Sequence, residues 1–212
     1  MNLSYNYLFI LNQSMHIGIY GGTFDPIHNG HLFAAEQILK KTVCDKILFI
    51  PAANPPHKKH NIISPFTTRY NWLQKAALDS QNIEVSNIEN ELNISYSFDL
   101  CTQLVNQYQN DQLHLIMGSD MSACFSTWKD WKNILKLVSP IILLRNTHKA
   151  PVDPKLEPQY RDLFMQNVVD IETLDISSTY IKERITNGLS LKNLIPNAII
   201  EEVITYYKNL KD

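Results

Sequence analysis

The reading of this chain turns on Gly21-Gly22-Thr23-Phe24-Asp25-Pro26-Ile27-His28-Asn29-Gly30-His31-Leu32. Immediately before it, Ile17–Tyr20 is a short β-rich run. After it, Leu32, Ala35 and Leu39 recur at helical spacing, so the stretch joins a strand to a helix. In an open parallel sheet, the space beyond the carboxyl end of a strand is where ligands bind. Two glycines let an anion approach the main-chain N–H groups closely, and a helix beginning near His28 to Gly30 directs its positive end at the same place. The stretch therefore reads as an anion site. It is not the dinucleotide fingerprint, because Gly18-Ile19-Tyr20-Gly21-Gly22 gives G-x-x-G-G, and it is not a P-loop, because no G-K-S/T follows.

His28 and His31 lie three residues apart, on one face once the helix has begun, and both can donate hydrogen bonds to phosphate oxygens. Either could instead cap or pack on the helix start. Pairing them with His57 and His60 around zinc leaves no Cys or carboxylate to complete a tetrahedral set, so no metal site is expected.

Outward from this stretch, β-rich runs alternate with helical patterns. The runs are Ile17–Tyr20, Lys46–Pro51, Ile83–Ser86, Leu113–Gly118, Pro140–Leu144 and Val168–Leu174. Helical stripes fall on Pro65–Asp79 (Leu73, Ala76, Ala77), after Ser97 as N-cap (Phe98, Cys101, Leu104, Val105), and after Pro196 (Ile199, Ile200, Val203, Ile204, Tyr207). The alternation predicts an α/β domain: an open parallel sheet with helices on both faces. Ala52–Pro65 and Asn146–Pro158 lack a sustained period and read as loops too short to link domains. There is no internal repeat. One domain over residues 15–212 is expected, with residues 1–14 as an extension or an upstream start, because Met15 directly precedes the first strand.

Of the 212 residues 44% are hydrophobic, enough for one sizeable core, which excludes disorder and a disulfide-stapled mini-protein. Nineteen Lys plus Arg against twenty-one Asp plus Glu give a net charge of -2, so no global basic field exists for a nucleic-acid partner. Any nucleotide is held by a local site. Cys44, Cys101 and Cys124 form no C-x-x-C pair and read as three buried, reduced thiols. The apolar run Tyr7–Leu11 is too short for an h-region or for the roughly 20 residues of a membrane span, and no Lys or Arg precedes Lys40. A cytoplasmic protein with no membrane partner is expected; a homo-oligomer is compatible with the sequence.

The central stretch resembles the G-G-[ST]-F-D-P-x-H-x-G-H signature of the nucleotidyltransferase superfamily, specifically the bacterial nicotinate mononucleotide adenylyltransferases. The resemblance runs from Met15 to the C-terminal helix. Asn54-Pro55-Pro56-His57-Lys58 is similar to the family's loop after the second strand, Ser95-Tyr96-Ser97-Phe98-Asp99 to its S-Y-T-x-D-T segment, and Gly118-Ser119-Asp120 to its G-x-D turn. Trp128-Lys129-Asp130-Trp131 is similar to its W-x-x-[WY] stretch, and Ile176-Ser177-Ser178-Thr179-Tyr180-Ile181-Lys182 to its I-S-[SA]-T-x-I-R motif.

That resemblance implies a Rossmann-like sheet of nucleotidyltransferase type and transfer of AMP from ATP to the 5′-phosphate of nicotinate mononucleotide. The attacking phosphate oxygen is already ionised at pH 7, so catalysis reduces to alignment and charge neutralisation. By resemblance His28, His31 and Lys58 act on the phosphates. Gly21, Gly22, Thr23 and Phe24 line the nucleotide, Gly118 and Asp120 meet adenosine, and Ser177, Ser178, Thr179 and Lys182 meet the β and γ phosphates. Mg2+ rides on the ATP oxygens, keeping much of its water. Ser177 and Thr179 also read as an ordinary N-cap region of a helix over 178–187. Lys182 replaces the family's usual Arg, exchanging a bidentate contact for a point charge, and Arg184 lies on another face. His57, Lys58, Tyr96, Ser97 and Trp128 fall on the substrate side; the indole of Trp128 can stack on a pyridine ring or simply pack in a core. Asp25 reads as ordering its turn through Asx-type bonds and not as meeting the ligand. The rivals are the same chemistry on nicotinamide mononucleotide or phosphopantetheine, a nucleotide-binding module without turnover, and a dehydrogenase. Phosphopantetheine enzymes usually have Thr where His28 stands, and the missing fingerprint disfavours a dehydrogenase.

Overall fold

The computed structural model describes residues 14–55, 63–145 and 152–210. Strands β1 (His16–Gly22), β2 (Lys46–Pro51), β3 (Ile83–Val85), β4 (Gln112–Gly118), β5 (Ser139–Arg145) and β6 (Val168–Ile171) pair in the order β3-β2-β1-β4-β5-β6, every pair parallel. All six expected strands form. β1 continues through Gly21 and Gly22, which pair with Ile50 and Pro51.

Because successive side chains of a strand face opposite ways, each of the four inner strands feeds two cores. Tyr20, Ile47 and Phe49 join one cluster with helices α1 (Asn29–Lys41), α2 (Phe66–Ala77), α8 (Ser178–Thr186) and α9 (Ile200–Asn209). Ile17, Ile19, Leu48 and Ile50 join the other with α4 (Ser97–Gln107), α6 (Trp131–Leu137) and α7 (Pro158–Gln166). Gly18 faces the first cluster at its tightest point, where a Cβ would lie 2.7 Å from Ile116 Cδ1 and 2.8 Å from Ile47 Cδ1.

Several local expectations are corrected. Ser97 is the first residue of α4, and Tyr96 stands in the capping position. Pro196 precedes a 3-10 turn, Asn197–Ile199, before α9 begins. α1 buries Ala34, Ala35 and Ile38 more deeply than Leu32 or Leu39. α7 and the shorter α3 (Ile88–Glu91), α5 (Ser119–Ser122) and α6 have no counterpart in the sequence reading; Pro158, in the first turn of α7, ends the expected loop at Glu157. Cys44 and Cys101 are buried, and burial pushes the Cys101 thiol up to about 12. Cys124 is exposed: it follows the one-turn α5, and its Sγ lies 3.5 Å from the carbonyl oxygen of Met121 instead of entering a core. Among the described residues no helix is long and apolar enough to cross a membrane. The Tyr7–Leu11 run lies outside the described residues.

Candidate active site

Strand order reverses at β1, whose neighbours are β2 and β4, and the Gly22-to-His28 loop leaves the sheet there. The loop folds over its own aromatic side chain. Phe24, at φ 48°, is 2% exposed and packs on Tyr20, Phe49 and His31, so only its main chain can face a ligand. His28 caps α1 and its N–H donates to His31 Nδ1 at 3.3 Å. The two rings stack, with centroids 3.6 Å apart. Gly30 makes this possible: a Cβ there would lie 3.0 Å from His28 Nδ1. The Asn29 N–H donates to Leu194 O and its side chain to Asn193 O, both at 2.9 Å. The first donor of α1 is thus committed to the C-terminal segment and is not available to an anion.

His28 and His31 face a cleft of about 530 Å3 that Tyr20, Gly30 and Ala34 also line. Its opposite wall runs from Ile171 to Ser178. Gln37, 6% exposed, fixes that wall: its Nε2 donates to Glu172 O at 2.7 Å and its Oε1 accepts the Glu172 N–H at 2.9 Å. β6 ends at Ile171 and not at Leu174, and Gln37 holds the main chain directly after it. Gln37→Leu is expected to lower stability by about 1–2 kcal/mol, read from urea denaturation, because two hydrogen bonds are lost at once. Further along the wall, Ser177 caps α8, its Oγ accepting the Tyr180 N–H at 3.1 Å, and Ser178 Oγ donates to Pro26 O at 2.9 Å. The two motifs expected to meet phosphate are thereby hydrogen-bonded to each other.

Behind the loop lies a buried polar cluster. Asp25, 2% exposed, accepts through Oδ1 from Tyr207 Oη at 2.7 Å and the Ser64 N–H at 3.3 Å, and through Oδ2 from Lys182 Nζ at 2.5 Å. Burial works to raise its pKa, but the hydrogen bonds from Lys182, Ser64 and Tyr207 and the Lys182 charge outweigh it and hold the carboxyl below its usual value. Arg69, 1% exposed, donates to Ser64 O at 2.9 Å, Thr23 O at 2.7 Å and Ala52 O at 2.8 Å, joining the loops after β1 and β2. The expected Asx-type ordering of the turn is replaced by long-range bonds: the partners of Asp25 come from α8, α9 and the segment before α2. Lys182 faces Asp25 and is not among the residues lining the cleft. Arg184 does not stand in for it, donating instead to Ser190 O and Tyr180 Oη. Arg69, Ser64 and Gln37 escaped the sequence reading, and Tyr207 enters it only as part of an apolar stripe; a buried-side arginine and glutamine within helical stripes are the signals that could have pointed to two of them.

Tyr96, Ser97 and Trp128 gather elsewhere. Trp128 is half-buried with its ring centroid 5.0 Å from that of Phe125. Lys129 Nζ lies 4.4 Å from the Tyr96 ring centroid and 3.7 Å from Asp99, tying the Trp128 segment to the start of α4. Gly118 ends β4 paired with Leu143 of β5, and the exposed Asp120 packs its Oδ1 against it. His57, Lys58 and His60 lie outside the described residues.

A doubly wound parallel sheet whose switch point carries stacked imidazoles and a second capped helix has the make-up of a nucleotidyltransferase. Residues 19–184 match the Cytidylyltransferase-like family, and the chain belongs to it. Within that class it belongs with the nicotinate-nucleotide adenylyltransferases. The "Probable nicotinate-nucleotide adenylyltransferase" of Clostridium tetani (strain Massachusetts / E88) is 34% identical over 181 residues, 84% of this chain and 90% of its own length. That of Thermotoga maritima is 32% identical over 93% of this chain and 95% of its own. The fold is also that of Plasmodium falciparum nicotinic acid mononucleotide adenylyltransferase complexed with NaAD, with a TM-score of 0.70 at 20% identity, covering 92% of this chain and 98% of the other.

Proposed function

We propose that the protein transfers AMP from ATP to the 5′-phosphate of nicotinate mononucleotide, giving nicotinate adenine dinucleotide and pyrophosphate in NAD biosynthesis. The observation that carries this reading is the stacked pair His28 and His31, half-enclosed beside Gly30 and facing the α8 cap across the cleft. A phosphate oxygen of the mononucleotide attacks the α-phosphorus, the bond from that phosphorus to the α–β bridging oxygen breaks, and pyrophosphate leaves. No protein nucleophile takes part. His28 and His31 donate to the phosphates, the main chain of Gly21–Phe24 brackets them, and Ser177, Ser178 and Thr179 receive the leaving end. Lys58 adds charge from its loop, with His57 beside it. Gly118 and Asp120 meet adenosine; Tyr96, Ser97 and Trp128 hold the pyridine nucleotide. Lys182 acts through Asp25, whose carboxylate is already used by three donors and is not free to ligate a cation. Mg2+ enters as part of the nucleotide substrate, on phosphate oxygens and water. Residues 15–212 act as one domain in the cytoplasm.

Pyrophosphate release from ATP and Mg2+, with nicotinate mononucleotide, nicotinamide mononucleotide and phosphopantetheine offered in parallel, tests the reading. A rate dominated by the nicotinate compound is expected. Preference for another acceptor would overturn the pocket assignment, and no release with any acceptor would leave a nucleotide-binding module. Trp128→Ala should raise the KM for nicotinate mononucleotide about tenfold, the size of a lost aromatic stacking contact, and that for ATP much less. Equal changes would make Trp128 a packing residue.

A further inference from the structure

Asp153 is 2% exposed, and the reaction proposed above gives its carboxylate no part. Its Oδ1 accepts the Lys155 N–H at 2.9 Å and its main-chain oxygen accepts the Leu156 N–H at 3.2 Å, closing a turn in its own segment. Oδ2 reaches across the fold to accept the Ser126 N–H at 2.8 Å. Ser126 is the middle residue of the 3-10 turn Phe125–Thr127, and Trp128 follows directly, its N–H donating to Phe125 O at 3.0 Å. Between Ser126 and the Trp128 ring there is little freedom. Phe125 is fully buried, and its centroid lies 5.0 Å from that of Trp128 and 5.1 Å from that of Phe164.

We infer that Asp153 is a positioning residue for pyridine-nucleotide recognition: its carboxylate fixes the turn that presents Trp128 and the neighbouring main-chain N–H groups. The inference rests on the reading of Trp128 given above. A carboxylate costs desolvation when buried, and an apolar residue would fill the site without that cost. What an apolar residue could not do is accept both the Ser126 N–H and the Lys155 N–H and so tie two separate segments together. The turn also meets the other recognition segment, since Lys129 sits over the Tyr96 ring. Loss of Asp153 therefore reaches Trp128 and Tyr96 while leaving Gln37, Asp25 and the His28–His31 stack untouched.

The test is steady-state kinetics on the full chain with Asp153→Ala and Asp153→Asn. Misplacing a recognition group without removing it should raise the KM for nicotinate mononucleotide about tenfold in Asp153→Ala, with the KM for ATP nearly unchanged. Discrimination against nicotinamide mononucleotide should fall in parallel. Asp153→Asn keeps one acceptor and should lie between wild type and Asp153→Ala; it carries the test if the alanine variant does not fold. Both KM values rising together, or only the melting temperature changing, would overturn the inference. Trp128→Ala, measured alongside, separates the two claims. A selective effect of Trp128→Ala with none from Asp153 sinks the role of Asp153 alone. A selective effect of Asp153→Ala with none from Trp128→Ala keeps Asp153 as the positioning residue and moves recognition from the indole to the main chain of the turn.

Discussion

His28→Ala should lower kcat by about 10²- to 10³-fold, the range found when one preorganised donor to a charge-developing oxygen is removed. The loss belongs to kcat more than to the KM for ATP, because negative charge on the phosphates is redistributed as the α–β bridge breaks, and a donor held rigidly in advance stabilises that redistribution most. The ring is held rigidly here. It is 7% exposed, stacked on His31 at 3.6 Å and set against Gly30, and His31 is in turn held edge-on by Phe24 at 5.0 Å. Removing it opens a space continuous with the cleft, so water replaces it and the fold should persist. The His28 main-chain N–H still reaches His31 Nδ1. Turnover measured together with the thermal unfolding curve checks both halves. Near wild-type turnover would remove His28 from the chemistry, and a collapse of the unfolding transition would make it structural.

Asp25→Ala is expected to have the largest effect on stability. It strands the Ser64 N–H, in a residue 3% exposed, leaves the Tyr207 hydroxyl only Ser64 Oγ at 3.1 Å, and removes the counter-ion of Lys182. Breaking a buried charged network by removing one partner costs on the order of 3 kcal/mol. The Lys182 share is small, since its side chain is one third exposed and its ammonium can turn to water. For a chain of this size the total corresponds to a Tm about 6–12 °C lower. Asp25→Asn separates the links: a carbonyl in place of Oδ1 still accepts from Tyr207 and Ser64, while an amide in place of Oδ2 faces the Lys182 ammonium, donor against donor. It should cost less in Tm than Asp25→Ala, and equal losses would contradict this division. The pH dependence has a definite sign. The Asp25 pKa is lower folded than unfolded, so its contribution is complete above the ordinary carboxylate value near 3.8 and is lost as pH falls through the lowered one. The Tm difference between wild type and Asp25→Asn should therefore stay constant from neutral pH down to about 5 and shrink only below about 4.

How far the sequence reaches is visible in particular residues. Gly21–Leu32 could be read as an anion-binding strand-to-helix turn because every feature in it is local: glycines, a helix start, two histidines one turn apart. The four inner strands were legible for the same reason, since strands buried on both faces are near-continuous apolar runs, while the edge strands β3 and β6 carry Glu84 and Asp170 on an exposed face. Helix edges were less so. Ser97 resembles a cap by type, yet the chain turns into α4 at Tyr96, and α7 lies hidden behind a proline-rich stretch.

Periodicity and contiguous motifs in the sequence were enough for the parallel α/β architecture, for the place of the glycine–histidine loop at the end of the first strand and, by resemblance, for the reaction class. Only the tertiary structure decided that Lys182 spends its charge on Asp25, 157 residues away, that Tyr207 closes the same cluster from the last helix, and that Gln37 and Asp153 hold the segments lining the cleft and carrying Trp128. Such contacts join a single polar atom to a partner that no local pattern marks, and a buried donor or acceptor takes whichever partner the packed fold brings within reach.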